Sequence, residues 1–147
     1  MFGTSSLRRS QPNSPEHVME ERETILLVED EPAVRSLFSM ALTRAGYKVY
    51  EARNGQEALN ALAADKFDAV LMDCQMPVMD GYAATRALRQ RKPLRDLPVI
   101  AMTANAMTGD REAAIAAGMN DHIAKPIRID EMFATLTRWL PATAGNS

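Results

Sequence analysis

Five short apolar runs, each followed by a stretch with apolar residues at helical spacing, constrain this chain more than any other feature. Ile25–Val28, Ala69–Met72 and Pro98–Met102 are continuous apolar runs, as expected of strands covered on both faces. Lys48–Glu51 alternates polar with apolar, and His122–Ala124 is brief. After the first run Pro32 opens a helical pattern that carries Val34, Leu37, Phe38, Ala41, Leu42 and Ala45 and closes at Gly46. Glycine is a favoured stop because it takes left-handed angles cheaply. The other helical patterns run from Asn54-Gly55 to about Ala64, from Gly81 to Gln90, from Ala106 to Ala117 with Gly118 as the stop, and from Ile129 to Leu140. Such alternation predicts a doubly wound α/β fold, a five-stranded parallel sheet between five helices. Strands one, three and four are the most apolar and belong in the middle. The order 2-1-3-4-5 satisfies this and keeps every crossover right-handed.

The pattern occupies residues 23–140, one folded domain. Residues 1–22 and 141–147 lack periodicity and predict flexible tails. The Arg8–Arg9 pair has no apolar stretch behind it, so export is not expected. A net charge of −2 argues against direct nucleic-acid binding, which needs a basic excess. The cluster Arg86, Arg89, Arg91, Lys92 and Arg95 is expected to stay solvated where it complements a helix C-terminus. No run approaches the ~20 apolar residues that span a bilayer, so no membrane partner is expected. Cys74 is the only cysteine and cannot form an internal disulfide, which suits a reducing, cytoplasmic compartment. It is expected to be a small packing residue.

In open α/β sheets ligands bind outside the carboxyl ends of the strands. Strand one ends in Glu29-Asp30, strand three in Asp73, strand four in Thr103, and Lys125-Pro126 follows strand five. Two like charges ~4 Å apart repel by roughly 4 kcal/mol at an effective dielectric near 20. Three carboxylates with one lysine therefore call for a counter-ion, and all-oxygen ligands favour a hard cation such as Mg²⁺. Asp73 then becomes a nucleophile for a phosphoryl group, provided its carboxylate is open to solvent and ion. The metal and Lys125 would offset charge on the transferring oxygens, with Thr103 donating a hydrogen bond. Singly, each residue has a plain reading: Asp30 as a helix cap, Asp73 as a turn former, Thr103 as a strand residue, Lys125 as a surface cation. Only their convergence carries the chemistry.

The segments LLVEDEP, AVLMDCQMPVMDGYAATR, VIAMTAN and AAGMNDHIAKPI, in that order across nearly all of 25–127, closely resemble the receiver domain of two-component response regulators. In wording they are most similar to receivers of hybrid sensor histidine kinases. The resemblance implies a flavodoxin-like fold and a phosphorylation-controlled signalling switch, not a metabolic enzyme. Asp73 would accept phosphate from a phosphohistidine of a sensor histidine kinase or a histidine phosphotransfer protein, then lose it slowly by self-catalysed hydrolysis. Glu29 and Asp30 would hold Mg²⁺, Asp30 directly and Glu29 through water, with the backbone carbonyl of Gln75 as a further ligand. Thr103 would be the switch hydroxyl, Lys125 the phosphate-binding lysine, and the Lys125–Pro126 peptide would be cis. Gln75 and Asn105 would border the attacking water, and the protein would be a monomer or weak dimer. One position departs from the family. His122 stands where Tyr or Phe is usual, so the switch is expected to rely less on an aromatic swing or to respond to pH.

Two alternatives belong to other classes. An aspartate-nucleophile phosphatase of the haloacid dehalogenase type wants an acid two residues after the nucleophile, where this chain has Gln75, and a cap domain. A phosphate-independent scaffold would not need the intact site residues. A nucleotide site is disfavoured because neither GxGxxG nor GxxxxGK[ST] occurs. Two surface expectations follow as well. Met40, off the core face of the first helix, would offer apolar surface to a phosphotransfer partner. The fourth helix, read as containing Gly109 and small alanines, would shift easily, since an interior glycine costs about 1 kcal/mol relative to alanine.

Overall fold

The computed structural model describes residues 22–104 and 109–140. The expected tails, 1–22 and 141–147, lie outside the described residues except for Arg22. The strands are β1 (Thr24–Val28), β2 (Lys48–Ala52), β3 (Ala69–Asp73), β4 (Val99–Thr103) and β5 (Asp121–Ala124). The helices are α1 (Pro32–Arg44), α2 (Gly55–Ala64), α3 (Gly81–Arg89), α4 (Asp110–Ala117) and α5 (Ile129–Trp139), with a 3₁₀ turn at Lys92–Leu94.

Every strand pairing is parallel, and the order is β2-β1-β3-β4-β5. Burial explains why hydropathy could order them. Every residue of β3 and β4 is buried, while β2 and β5 each bury a single residue, Ala52 and Ile123. Side chains alternate between the two faces. Leu26, Val28, Val70, Met72 and Ala101 pack against Leu59 and Leu62 of α2 and Ala84 and Leu88 of α3. Ile25, Leu27, Leu71, Ile100 and Met102 pack against Phe38 and Leu42 of α1 and Met132 and Leu136 of α5.

Local chemistry sets the helix starts. Asn54 Oδ1 accepts from Glu57 N (2.9 Å) and Asp80 Oδ1 from Ala83 N (2.9 Å), capping α2 and α3. Helix α1 has no side-chain cap: Glu31 holds that position and Pro32 follows. Asp30 is therefore not a capping residue.

Three expectations need correction. Leu37, counted on the core face of α1, is 55% exposed. It lies one residue, about 100°, from Phe38 around the helix, and Phe38 takes the buried position. Helix α4 begins at Asp110, and Gly109 is its N-cap at φ +84° rather than an interior residue. The stretch 105–108, part of that expected helix together with Asn105, lies outside the described residues. Finally, Arg89 is not solvated. Its guanidinium donates to the carbonyls of Gly118 (2.9 Å), Leu94 (2.7 Å) and Arg95 (3.2 Å) and to Asn120 Oδ1 (2.8 Å). Arg91 also reaches inward, to the Leu59 carbonyl (3.3 Å).

Candidate functional site

The parallel register places Val28 beside Met72, and Asp73 beside Met102. The residues that leave β1, end β3 and end β4 therefore meet at one edge. The Lys125 amide donates to the Thr103 carbonyl (2.7 Å), which brings the β5–α5 connection to the same place. The Lys125–Pro126 peptide is cis.

Asp73 Oδ1 accepts from Lys125 Nζ (2.9 Å) and from the Gln75 amide (3.1 Å). Carboxylate oxygens of Glu29, Asp30 and Asp73 lie within 4.8 Å of one another. Among the described residues, Asp73 Oδ2, Glu29 Oε1 and Thr103 Oγ1 are buried without a hydrogen-bond partner. Buried polar atoms are nearly always satisfied, and an unmade bond costs about 1–3 kcal/mol. Three such atoms at the ends of three strands mark a place built to receive something.

The charges confirm the tension. Burial, then the Asp73 carboxylate, push Glu29 up to about 7. Burial raises Asp73 too, against the opposing pull of Lys125 and the Gln75 amide. Burial alone would lower Lys125; its hydrogen bond to Asp73 and the surrounding negative charge outweigh that and raise it. The residues fit a hard divalent cation. All donors are oxygens, two of their oxygens have no partner, and the site carries excess negative charge. An octahedral Mg²⁺ holds oxygens about 2.1 Å away, which separates its ligands by up to about 4.2 Å. The observed spread is of that scale.

The structure differs from the expectation of an open nucleophile in one respect. Asp73 exposes no surface. Lys125, with a side chain 33% exposed, lies on its Oδ1 and forms part of the mouth of the site. Gly81 backs the carboxyl end of β3 so tightly that a Cβ there would strike the Asp73 carbonyl oxygen and meet Met72 Cγ at 2.8 Å. A glycine opening a helix, where alanine would serve better, was the available sequence signal for this approach. Between them, the Met79 amide donates to the Pro77 carbonyl (2.8 Å) across Val78 at φ +71°, a strained γ-turn for a β-branched residue.

Gln75 is exposed and reaches Asp73 through its amide. His122 is half-buried on the edge strand β5, beside Ala101. Cys74 is buried, and burial pushes its thiol up to about 12, so it packs as a small apolar residue. Two residues next to the acidic pair escaped sequence reasoning. The Glu31 amide donates to Glu29 Oε2 (3.2 Å), and Arg35 Nη1 donates to the Glu29 carbonyl (2.9 Å). Beside the site is a hollow of about 240 Å³ lined in part by Val34, Leu37, Phe38, Pro126 and Ile127. A larger hollow, about 1030 Å³, lies at the opposite end of the strands among Phe67, Leu94, Leu97 and Trp139, away from the acidic cluster.

The sequence model of the response regulator receiver domain matches residues 25–137. The chain is 37% identical over 135 residues to the sensor histidine kinase GacS of Pseudomonas protegens, covering 90% of this chain but 15% of that protein. A receiver domain of a Pseudomonas aeruginosa sensor histidine kinase, solved with a magnesium ion coordinated in its active site cleft, is 44% identical with a TM-score of 0.76. That match covers 80% of this chain and 97% of the other. The receiver domain of the Saccharomyces cerevisiae response regulator Ssk1, solved with the histidine phosphotransfer protein Ypd1, superposes with a TM-score of 0.78 at 25% identity, covering 84% of this chain and 92% of the co-crystal chain matched. No helix among the described residues is long and apolar enough to cross a membrane.

Proposed function

Because the chain belongs to the response regulator receiver domain family of two-component signalling, we propose that it is a phosphorylation-dependent switch whose phosphoacceptor is Asp73. The observation that carries this reading is the state of that carboxylate. One oxygen is held by Lys125 at 2.9 Å, and the other is buried, without a partner among the described residues, beside two more acids.

Docking of the donor has to uncover Asp73, which is buried; its Oδ2 then attacks the phosphorus of a partner's phosphohistidine. The new P–O bond forms as the P–N bond breaks, and the imidazole leaves with that electron pair. Lys125, fixed on Oδ1, offsets charge on the phosphoryl oxygens, and Thr103 Oγ1 is a donor free to meet one of them. Glu29, Asp30, Asp73 and the Gln75 carbonyl would hold Mg²⁺, which when bound supplies further positive charge against the transferring group. Water later hydrolyses the acyl phosphate, with Gln75 bordering its path.

The donor is a sensor histidine kinase or a histidine phosphotransfer protein in the cytoplasm. The Ssk1 receiver crystallised with such a phosphotransfer protein supports this choice. Leu37 and Met40 on α1, 55% and 52% exposed, give it apolar surface beside the site. Thr103 and His122 form the switch. A half-buried histidine in the aromatic position predicts signalling that depends less on a ring swing. The protein works as a monomer or weak dimer.

Incubation with acetyl phosphate and Mg²⁺ should add one phosphoryl group by intact mass. Asp73→Asn, still folded, should add none; a labelled Asp73→Asn would overturn the assignment. Met40→Glu should accept phosphate normally from acetyl phosphate and more slowly from the protein donor.

A further inference from the structure

We propose that Arg35 is a positioning residue for the acidic pair: it clamps the β1–α1 corner so that Glu29 and Asp30 are held for the cation, although its own charge opposes cation binding. This rests on the cation-assisted reading of the site given above.

Backbone pairing carries β1 one residue past its last ladder position, because the Glu29 amide donates to the Ala52 carbonyl (3.0 Å). The chain then turns through Asp30 and Glu31 into α1, which starts at Pro32 with no side-chain cap. The helix start lacks the local bond that fixes α2 and α3 at theirs. Arg35 does not replace that side-chain acceptor, but its donors tie the same corner. Its amide donates to the Glu31 carbonyl (2.9 Å) in the first helical turn, while Nη1 donates to the Glu29 carbonyl (2.9 Å). Its Nε reaches Glu51 Oε1 on β2 at 3.4 Å, and the side chain is only 14% exposed against 44% for Glu51. One planar guanidinium thus ties the end of β1, the start of α1 and the neighbouring strand. A lysine, with a single ammonium, does not reproduce this fork.

Arg35 does not touch the carboxylate oxygens that would meet the ion. Its effect passes through the backbone of Glu29, as hydrogen-bond partners behind metal ligands generally act; losing such a partner typically weakens metal affinity 10–100-fold. Charge and positioning predict opposite signs here. Removing a cation next to an acidic site should, by Coulomb's law alone, tighten Mg²⁺ binding. Removing a clamp should weaken it.

The test is an amide chemical-shift titration of the full chain with MgCl₂ at constant ionic strength, following Glu29, Asp30 and Gln75, with melting measured without metal. Arg35→Met, which keeps the apolar stem, should weaken Mg²⁺ about tenfold. Arg35→Lys should recover part of the loss, and Glu51→Ala, with Arg35 intact, should weaken binding a few-fold. Arg53→Met removes a charge from an exposed pair with Glu57 and should leave affinity unchanged. Equal or tighter binding by folded Arg35→Met overturns the positioning role and leaves the phosphoacceptor reading intact. If Arg35→Met does not fold, unchanged affinity in Glu51→Ala overturns it. A wild-type chain whose three amides ignore Mg²⁺ overturns both.

Discussion

The two ends of the sheet treat polar groups in opposite ways. At the amino ends of the strands they are paired. Asp68 Oδ2 accepts from the Thr24 amide (2.7 Å), Asn120 Oδ1 from the Val99 amide (2.8 Å) and Arg89, and Asp121 from Arg138, Trp139 and the His122 amide. At the carboxyl ends, Glu29, Asp73 and Thr103 each bury an atom with no partner among the described residues. One end closes the structure, while the other holds uncompensated charge and unmade bonds, an arrangement that costs stability until a ligand supplies the partners.

Substitutions at the two ends should therefore differ in sign as well as size. The largest effect is expected at the amino end. Arg89→Met strips donors from three carbonyls and Asn120 and should cost about 3 kcal/mol in urea unfolding. A loss within about 0.5 kcal/mol would dissolve the contrast.

Next come two carboxylates with opposite pH slopes. Burial pushes Asp121 up, but its bonds from Arg138, Trp139 and the His122 amide win and hold it below its ordinary 3.8. Its contribution is present above that pH and is lost as pH falls through the depressed value. Asp121→Asn should destabilise by about 1–2 kcal/mol at pH 7 and flatten the acid limb. Glu29 is raised from 4.5 to about 7, so without metal the folded state loses stability as pH rises between those values. Glu29→Gln should remove that decline and leave the metal-free protein more stable at pH 8 by about 1 kcal/mol. Urea unfolding at pH 4, 6 and 8 checks both, and parallel curves for Glu29→Gln and wild type would contradict the assigned tension.

The smallest effect tests backbone rather than charge. Val78 at φ +71° is 82% exposed. Such strain costs about 1–3 kcal/mol, and glycine gives back roughly 0.5–1 of the gain through unfolded-state entropy. Val78→Gly should stabilise by about 0.5–1 kcal/mol in the same assay; destabilisation would place the γ-turn among satisfied structure.

The contrast also explains what the chain's letters disclose. Strand order was legible because β3 and β4 are buried throughout and β2 and β5 are not; a composition difference records a position. The site was legible because topology brings strand ends together, so Glu29, Asp30, Asp73, Thr103 and Lys125 needed only to sit at those ends. Arg89 was misread as solvated because a basic run at a helix end looks alike whether it meets water or the carbonyls of Leu94 and Gly118. Arg35 gave no local signal, since Glu51 is sixteen residues away. Gly109 looked like a helix interior because alanines and methionine surround it, whereas its φ of +84° sets it at the cap.

The most direct measurement of the central claim is the unfolding free energy of the wild-type protein and of Asp73→Asn across a Mg²⁺ titration at pH 8. If the carboxyl edge is a cation site kept unsatisfied, wild-type stability rises with Mg²⁺, by about 1.4 kcal/mol at tenfold the dissociation constant, and Asp73→Asn stays nearly flat. Equal responses of the two proteins, or none from either, would contradict it.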